Sequence, residues 1–165
     1  MKKKYAAILI LSALAVFLSS CTSLNKEETI GEIAYKVSDK WDSLAEPSVT
    51  VYYTESGMRI SADLDLYAAD SKTIDVHIYD KACKPIDAFI TETEVISDEI
   101  GSFSGSPART LNIKGLIGGQ PAECYCYGFY YNGKGYSFTF FRMNGLTSED
   151  FKIINDLIAS IKTAE

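Results

Sequence analysis

Few residues in this sequence carry the chemistry of a catalytic or metal-binding group. His77 is the only histidine among 165 residues, and it stands between Asp75 and Tyr79. An imidazole acts near neutral pH as a general base or as a metal ligand. Asp63 and Asp65 are two apart. On a strand their carboxylates share one side and could hold a hard cation through oxygen. Acids at alternate positions are also what a solvated strand face looks like, and His77 sits in a similar alternating stretch. The expectation is no metal centre, with His77, Asp63 and Asp65 as the candidates if one exists. Asp98 and Glu99 are adjacent and would point apart on a strand, which disfavours a shared site.

The sequence holds four cysteines. A cysteine nucleophile needs a base, and nothing in the sequence places His77 near Cys83, Cys124 or Cys126. Cys124 and Cys126 would point the same way on one strand, about 7 Å apart, a poor geometry for bridging each other. A bridge from Cys83 to either one stays open. A zinc site needs a third and fourth ligand, and only His77 is at hand. The reading is buried free thiols that pack as small hydrophobes. Gly118-Gly119 has neither the Gly-Lys-Ser ending nor the following helix of a phosphate loop. There is no Cys-x-x-Cys pair and no serine in a nucleophile-elbow setting. Catalysis needs a positioned acid, base or nucleophile, so no enzymatic activity and no cofactor are expected. A net charge of −6 argues against a nucleic-acid partner, which calls for a basic footprint.

The amino terminus reads as an address. Lys2, Lys3 and Lys4 precede an apolar run from Tyr5 to Leu18, which ends in Leu18-Ser19-Ser20-Cys21. The run, about 14 residues, is short for a membrane-spanning helix. The ending resembles the lipobox of bacterial lipoproteins. That resemblance implies a signal peptide over residues 1–20 and cleavage before Cys21. It also implies acylation of the Cys21 thiol with chains such as palmitate. Two chains suffice for stable anchoring. The expected location is the cell envelope, on the outer face of the cytoplasmic membrane, or on the outer membrane if the source has one. Losing three lysines leaves 13 basic against 22 acidic residues, a mature charge of −9. The lipid, not a basic patch, must then hold the protein to the membrane. Residues 21–29 read as the lipidated cysteine and a flexible tether, and residues 30–165 as one domain.

Within that domain Ile30 to Val37 alternates as a strand, and Trp41 follows a turn. Val49 to Glu55 and Met58 to Tyr67 read as an antiparallel pair, with Ile60, Ala62, Leu64 and Leu66 on one face. Ile74, Val76 and Ile78 alternate with Asp75, His77 and Tyr79, which suggests a short strand. Pro85 to Thr93 could open a helix, and Thr91 to Ile96 could equally be strand. Ser97 to Ile117 reads as strand, turn at Gly105-Ser106-Pro107, and strand. Asn132-Gly133 between two alternating aromatic runs is a strong hairpin signal, with either a two-residue or a four-residue loop. It groups Tyr125, Tyr127, Phe129 and Tyr131 with Tyr136, Phe138 and Phe140 as an apolar wall. The last helix, from about Ser148 to Lys162, has Thr147 as N-cap and Asp150 to complement it. Its stripe of Phe151, Ile154, Ile158 and Ile161 should pack on that wall. The class is α+β, an antiparallel sheet with helices packed on its faces. Eleven tyrosines either line this core and its edges or form an exposed recognition surface.

The order of these features resembles the PsbP-like lipoproteins of bacteria. The matching residues are Ile33-Ala34-Tyr35-Lys36-Val37 with Trp41, Val51-Tyr52-Tyr53, Gly119-Gln120-Pro121-Ala122, Tyr136-Ser137-Phe138, and Phe151 through Ile158-Ala159-Ser160-Ile161-Lys162. Ser38 stands where that family has proline. The resemblance implies an α/β/α sandwich and a docking role without a shared catalytic motif. A membrane-anchored, non-enzymatic binding module with a protein partner at the envelope is the resulting expectation. The alternative is a metal- or small-molecule-binding lipoprotein.

Overall fold

The computed structural model describes residues 23–65 and 71–164. The expected signal peptide and Cys21 lie outside the described residues, as do Leu66 and Tyr67. In chain order the elements are β1 (Lys26–Ile30), β2 (Ile33–Val37), β3 (Asp42–Glu46), β4 (Val49–Tyr53), β5 (Arg59–Asp65), α1 (Ser71–Cys83), β6 (Thr91–Phe103), β7 (Ser106–Ile117), β8 (Gln120–Tyr131), β9 (Lys134–Met143), α2 (Ser148–Ser160) and β10 (Lys162–Thr163). Seven strands form one sheet in the order β3-β4-β5-β9-β8-β7-β6, and β1-β2-β10 form a second. Every pairing is antiparallel.

Three tight turns build the centre of the larger sheet. Ser104-Gly105, Gly118-Gly119 and Asn132-Gly133 each close a hairpin, with φ of 47° and 81°, 58° and 79°, and 48° and 77°. Positive φ at both central residues is what a two-residue turn matched to strand twist demands, and glycine and asparagine tolerate it. Tyr131 therefore pairs with Lys134, so the two-residue loop is the one that forms. The first turn falls one residue before the expected position, because Phe103 pairs with Ser106.

Register then assigns the faces. Phe129, Tyr136, Phe138 and Phe140 are buried in one cluster with Tyr35, Tyr52, Ile154 and Leu157, and Tyr125, Tyr127, Tyr131 and Phe151 pack against it. The expected aromatic wall is thus the floor of the core, and α2 and β2 cover it. Cys124, Cys126, Leu111, Ile113 and Phe141 point to the opposite face, beneath Ile78 and Ala82 of α1. The molecule is an α/β/α sandwich around an antiparallel sheet.

The structure departs from the sequence reading in four places. Ile74 to Tyr79, expected as strand, lies in α1. The residue that mimicked alternation is Val76, which is 64% exposed on the outside of the helix. Ile78 and Ala82, one helical turn apart, do the packing. Pro85 to Ile90 is irregular chain rather than helix, and β6 begins at Thr91. Asp42 to Glu46, exposed throughout, adds an edge strand that no alternation announced. Lys26 to Thr29, expected in the tether, pairs with β2.

Gly128 is where α1 rests. A Cβ there would lie 2.6 Å from Ile78 Cδ1 and Cγ1 and 3.2 Å from the Tyr136 carbonyl oxygen. Gly128→Ala is expected to lift α1 and cost about 1 to 3 kcal/mol, as overpacking does. Urea unfolding checks this, and Gly128→Ala with Ile78→Val should recover part of the loss.

Candidate functional site: a charged groove between α1 and β5

Side chains alternate along β5, so Arg59, Ser61, Asp63 and Asp65 form one row facing α1. His77 and Lys81 are four apart on α1 and share a side of the helix. The rows run in opposite directions. His77 Nδ1 lies 3.5 Å from Asp65 Oδ2, and Lys81 Nζ lies 2.5 Å from Asp63 Oδ1. At the far end Arg59 Nη1 donates to the Pro85 carbonyl just beyond the helix. Between the rows lie two cavities, about 520 Å³ and about 420 Å³, with Val49, Asp63 and Lys81 in the walls of both.

The structure thus brings His77, Asp63 and Asp65 along one groove and removes them from the solvated strand faces expected for them. Asp63 is 8% exposed because α1 crosses that face. Among the described residues no three His, Cys, Asp or Glu side chains are grouped to hold a metal ion. The Lys81 ammonium occupies the place beside Asp63 that a cation would take. Burial lowers the His77 pKa from its ordinary 6.5, the Lys81 charge lowers it further, and Asp65 and Asp63 only partly oppose this. Its surroundings thus favour the neutral imidazole. Arg59 Nε, Asp63 Oδ2, His77 Nε2 and Ser137 Oγ are buried with no hydrogen-bond partner among the described residues. Ser137 is the register partner of Asp63 on β9.

The three described thiols are free. Burial pushes Cys126 up to about 12, and it pushes Cys124 well above its usual value. Cys126 Sγ lies 3.6 Å from Thr139 Oγ1. A thiol that stays protonated is a poor nucleophile, so these cysteines act as small hydrophobes under α1. Tyr35, Tyr52 and Tyr136 are buried, and only Tyr53 and Tyr79 among the described tyrosines are largely exposed. Most of the described tyrosines line the core and its edges. The exposed apolar residues lie elsewhere. Val95, Ile96 and Ile100 on β6 are 50%, 44% and 88% exposed.

Sequence reading missed Arg59, Lys81 and Lys84 as site residues. The i, i+4 spacing of His77 and Lys81 was the available signal, and it has no meaning until the segment is known to be helical.

No protein-family profile matches the chain, and no curated protein sequence matches it. Solved structures do. The Ran-binding protein Mog1p of Saccharomyces cerevisiae superposes with a TM-score of 0.63 at 12% identity, over 87% of this chain and 97% of that one. Cyanobacterial PsbP from Synechocystis sp. PCC 6803 superposes with a TM-score of 0.60 at 15% identity, over 80% of this chain and 86% of that one. The chain has the Mog1/PsbP fold. At these identities the likeness concerns architecture alone, and the groove has to be read from its own residues.

Proposed function

We propose that the protein is a lipoprotein anchored through Cys21 in the cell envelope, and that its folded body is a non-enzymatic docking module. The anchoring half of this reading stands on Leu18-Ser19-Ser20-Cys21. The docking half stands on the open edge of the larger sheet. β6 is the terminal strand there, and of its 13 residues only Phe103 is buried. Irregular pairing between Thr91 and Glu94 and between Val95 and Ser97 blunts its first half, whereas Ser97 to Phe103 runs in unbroken register with β7. Long edges are normally protected, because their unpaired N–H and C=O groups accept a further strand. Here the edge carries an almost fully exposed isoleucine. Glu92, Glu94 and Glu99 are exposed along the same strand. Like charges disfavour a second copy of this chain. The occupant that fits is an extended, basic segment of an envelope protein, added as an eighth strand. That a protein of this fold is Ran-binding agrees with a docking role and identifies no partner here. The groove favours a second reading, a small-molecule-binding lipoprotein.

Two measurements test the main reading. Cys21→Ala should accumulate as uncleaved precursor that takes up no labelled palmitate, and normal processing and labelling of that variant would sink the anchor. A photo-crosslinking residue at Ile100 should trap one envelope protein through a lysine- or arginine-bearing extended segment, and Glu94→Lys with Glu99→Lys should abolish the adduct. Equal trapping from Leu44, on the opposite edge, or adducts only to a second copy, would overturn the docking surface.

A further inference from the structure

Arg59 is the arginine that the fold leaves without a carboxylate. The sequence has three arginines and 22 acidic residues. Arg109 holds Asp98, and Arg142 holds Asp150. Arg59 is half-buried at the opposite end of β5 from Asp65, and it pairs with no acid among the described residues. Its Nη1 donates to the Pro85 carbonyl, and its Nε is buried without an acceptor. A guanidinium withdrawn from water loses hydration that only an acceptor replaces, and an unmatched buried donor calls for a missing partner. Lys84 stands in the same cavity wall. Its ammonium lies over the Phe89 ring, 5.2 Å from the centroid, and it too has no carboxylate partner among the described residues. Lys81, the third cation of that wall, is spent on Asp63 at 2.5 Å. Around the larger cavity Arg59, Lys81 and Lys84 thus stand against Asp63 and Asp87, which leaves one positive charge in excess within a protein of net charge −6. Val49, Pro85 and Ile86 give the same cavity an apolar side.

We propose that this end of the groove binds a small monocarboxylic acid as its anion, with the carboxylate between the Arg59 guanidinium and the Lys84 ammonium and the apolar body against Val49, Pro85 and Ile86. A planar guanidinium matches a carboxylate and supplies charge-assisted hydrogen bonds to it. One excess positive charge suits one carboxylate, and Asp87 repels a second. About 520 Å³ lies within the range of small-molecule sites. The site deepens the small-molecule reading of the groove and rests on it. It uses neither Asp65 nor His77. It is independent of docking at β6, which lies at the other side of the sheet with β9, β8 and β7 between.

Calorimetric titration of the full-length protein in detergent micelles tests this. The probes are phenylacetate and isovalerate, with their primary amides as neutral counterparts and protein-free micelles as the blank. Both acids should bind, and each amide should bind at least about tenfold more weakly, the equivalent of one lost charge-assisted contact. Arg59→Gln and Lys84→Glu should each weaken the acids at least about tenfold as well. Lys84 is exposed, so Lys84→Glu should leave the melting temperature unchanged and separates lost binding from lost folding. Amides that bind as tightly as the acids would overturn the anion site while leaving a small-molecule groove. No binding by any probe would overturn both the anion site and the small-molecule reading with it. Acid binding that survives both substitutions would put the ligand outside this groove and overturn the assignment.

Discussion

Alanine in place of Phe138 is expected to cost about 3 to 5 kcal/mol of folding stability, the range for a buried aromatic truncated to a methyl group. Phe138 is fully buried, with its ring edge-on to Tyr35 at 5.1 Å between centroids and an interplanar angle of 76°. It lies in the middle of β9, paired with Ala62 of β5 and Tyr127 of β8. Those neighbours are strand residues held by ladder hydrogen bonds, so they cannot collapse into the space. Urea unfolding at pH 7 measures the loss. Phe89→Ala is the control, because Phe89 is 63% exposed and its truncation should stay within about 0.5 kcal/mol. Equal losses from the two variants would mean that β9 does not turn this face to the core.

Asp150→Ala is expected to cost about 3 kcal/mol, the low end for breaking a buried ion pair. The Asp150 carboxylate is fully buried yet accepts four hydrogen bonds. They come from the Thr147 backbone N–H at 2.8 Å, the Thr147 hydroxyl at 2.7 Å, the Ser56 hydroxyl at 2.9 Å and the Arg142 guanidinium. Its own N–H completes the capping box by donating to Thr147 Oγ1 at 3.2 Å. One side chain thus ties the start of α2 to the β4–β5 turn and to β9. Arg142 stays 25% exposed, and its partial hydration keeps the loss below the top of the range. The acid response follows. Burial pushes the Asp150 carboxyl up, but the bonds from Thr147, Arg142 and Ser56 outweigh it and hold it below its ordinary 3.8. A depressed folded value means that the stabilisation is complete above about pH 4 and is lost as pH falls through the folded value. Unfolding curves from neutral to strongly acid pH should show that loss in the native protein and a shallower one in the variant. Parallel curves would remove Asp150 as the source.

The sequence by itself determined what local chemistry controls. Asn132-Gly133 can close a tight hairpin because asparagine and glycine accept positive φ, and the period of two then distributes Tyr127, Phe129, Tyr136 and Phe138 to one face without further information. Thr147 and Asp150 announce the start of α2 because their hydrogen bonds span only three residues. The antiparallel class and its two-faced sheet follow from these short-range rules. Only the tertiary structure decided the groove. Ile74, Val76 and Ile78 fit the strand period, whereas only Ile74 and Ile78 share a helical face, and so short an apolar run does not decide between the two. What selects the helix is Gly128, a bare position on β8, fifty residues later, into which Ile78 fits. Once α1 lies there, Lys81 meets Asp63 and His77 meets Asp65, and acids that look solvated along the chain become paired, Asp63 buried and Asp65 half-buried. The long-range contact, not the residue type, sets their surroundings, because desolvation and partner charges depend on what crosses over the strand.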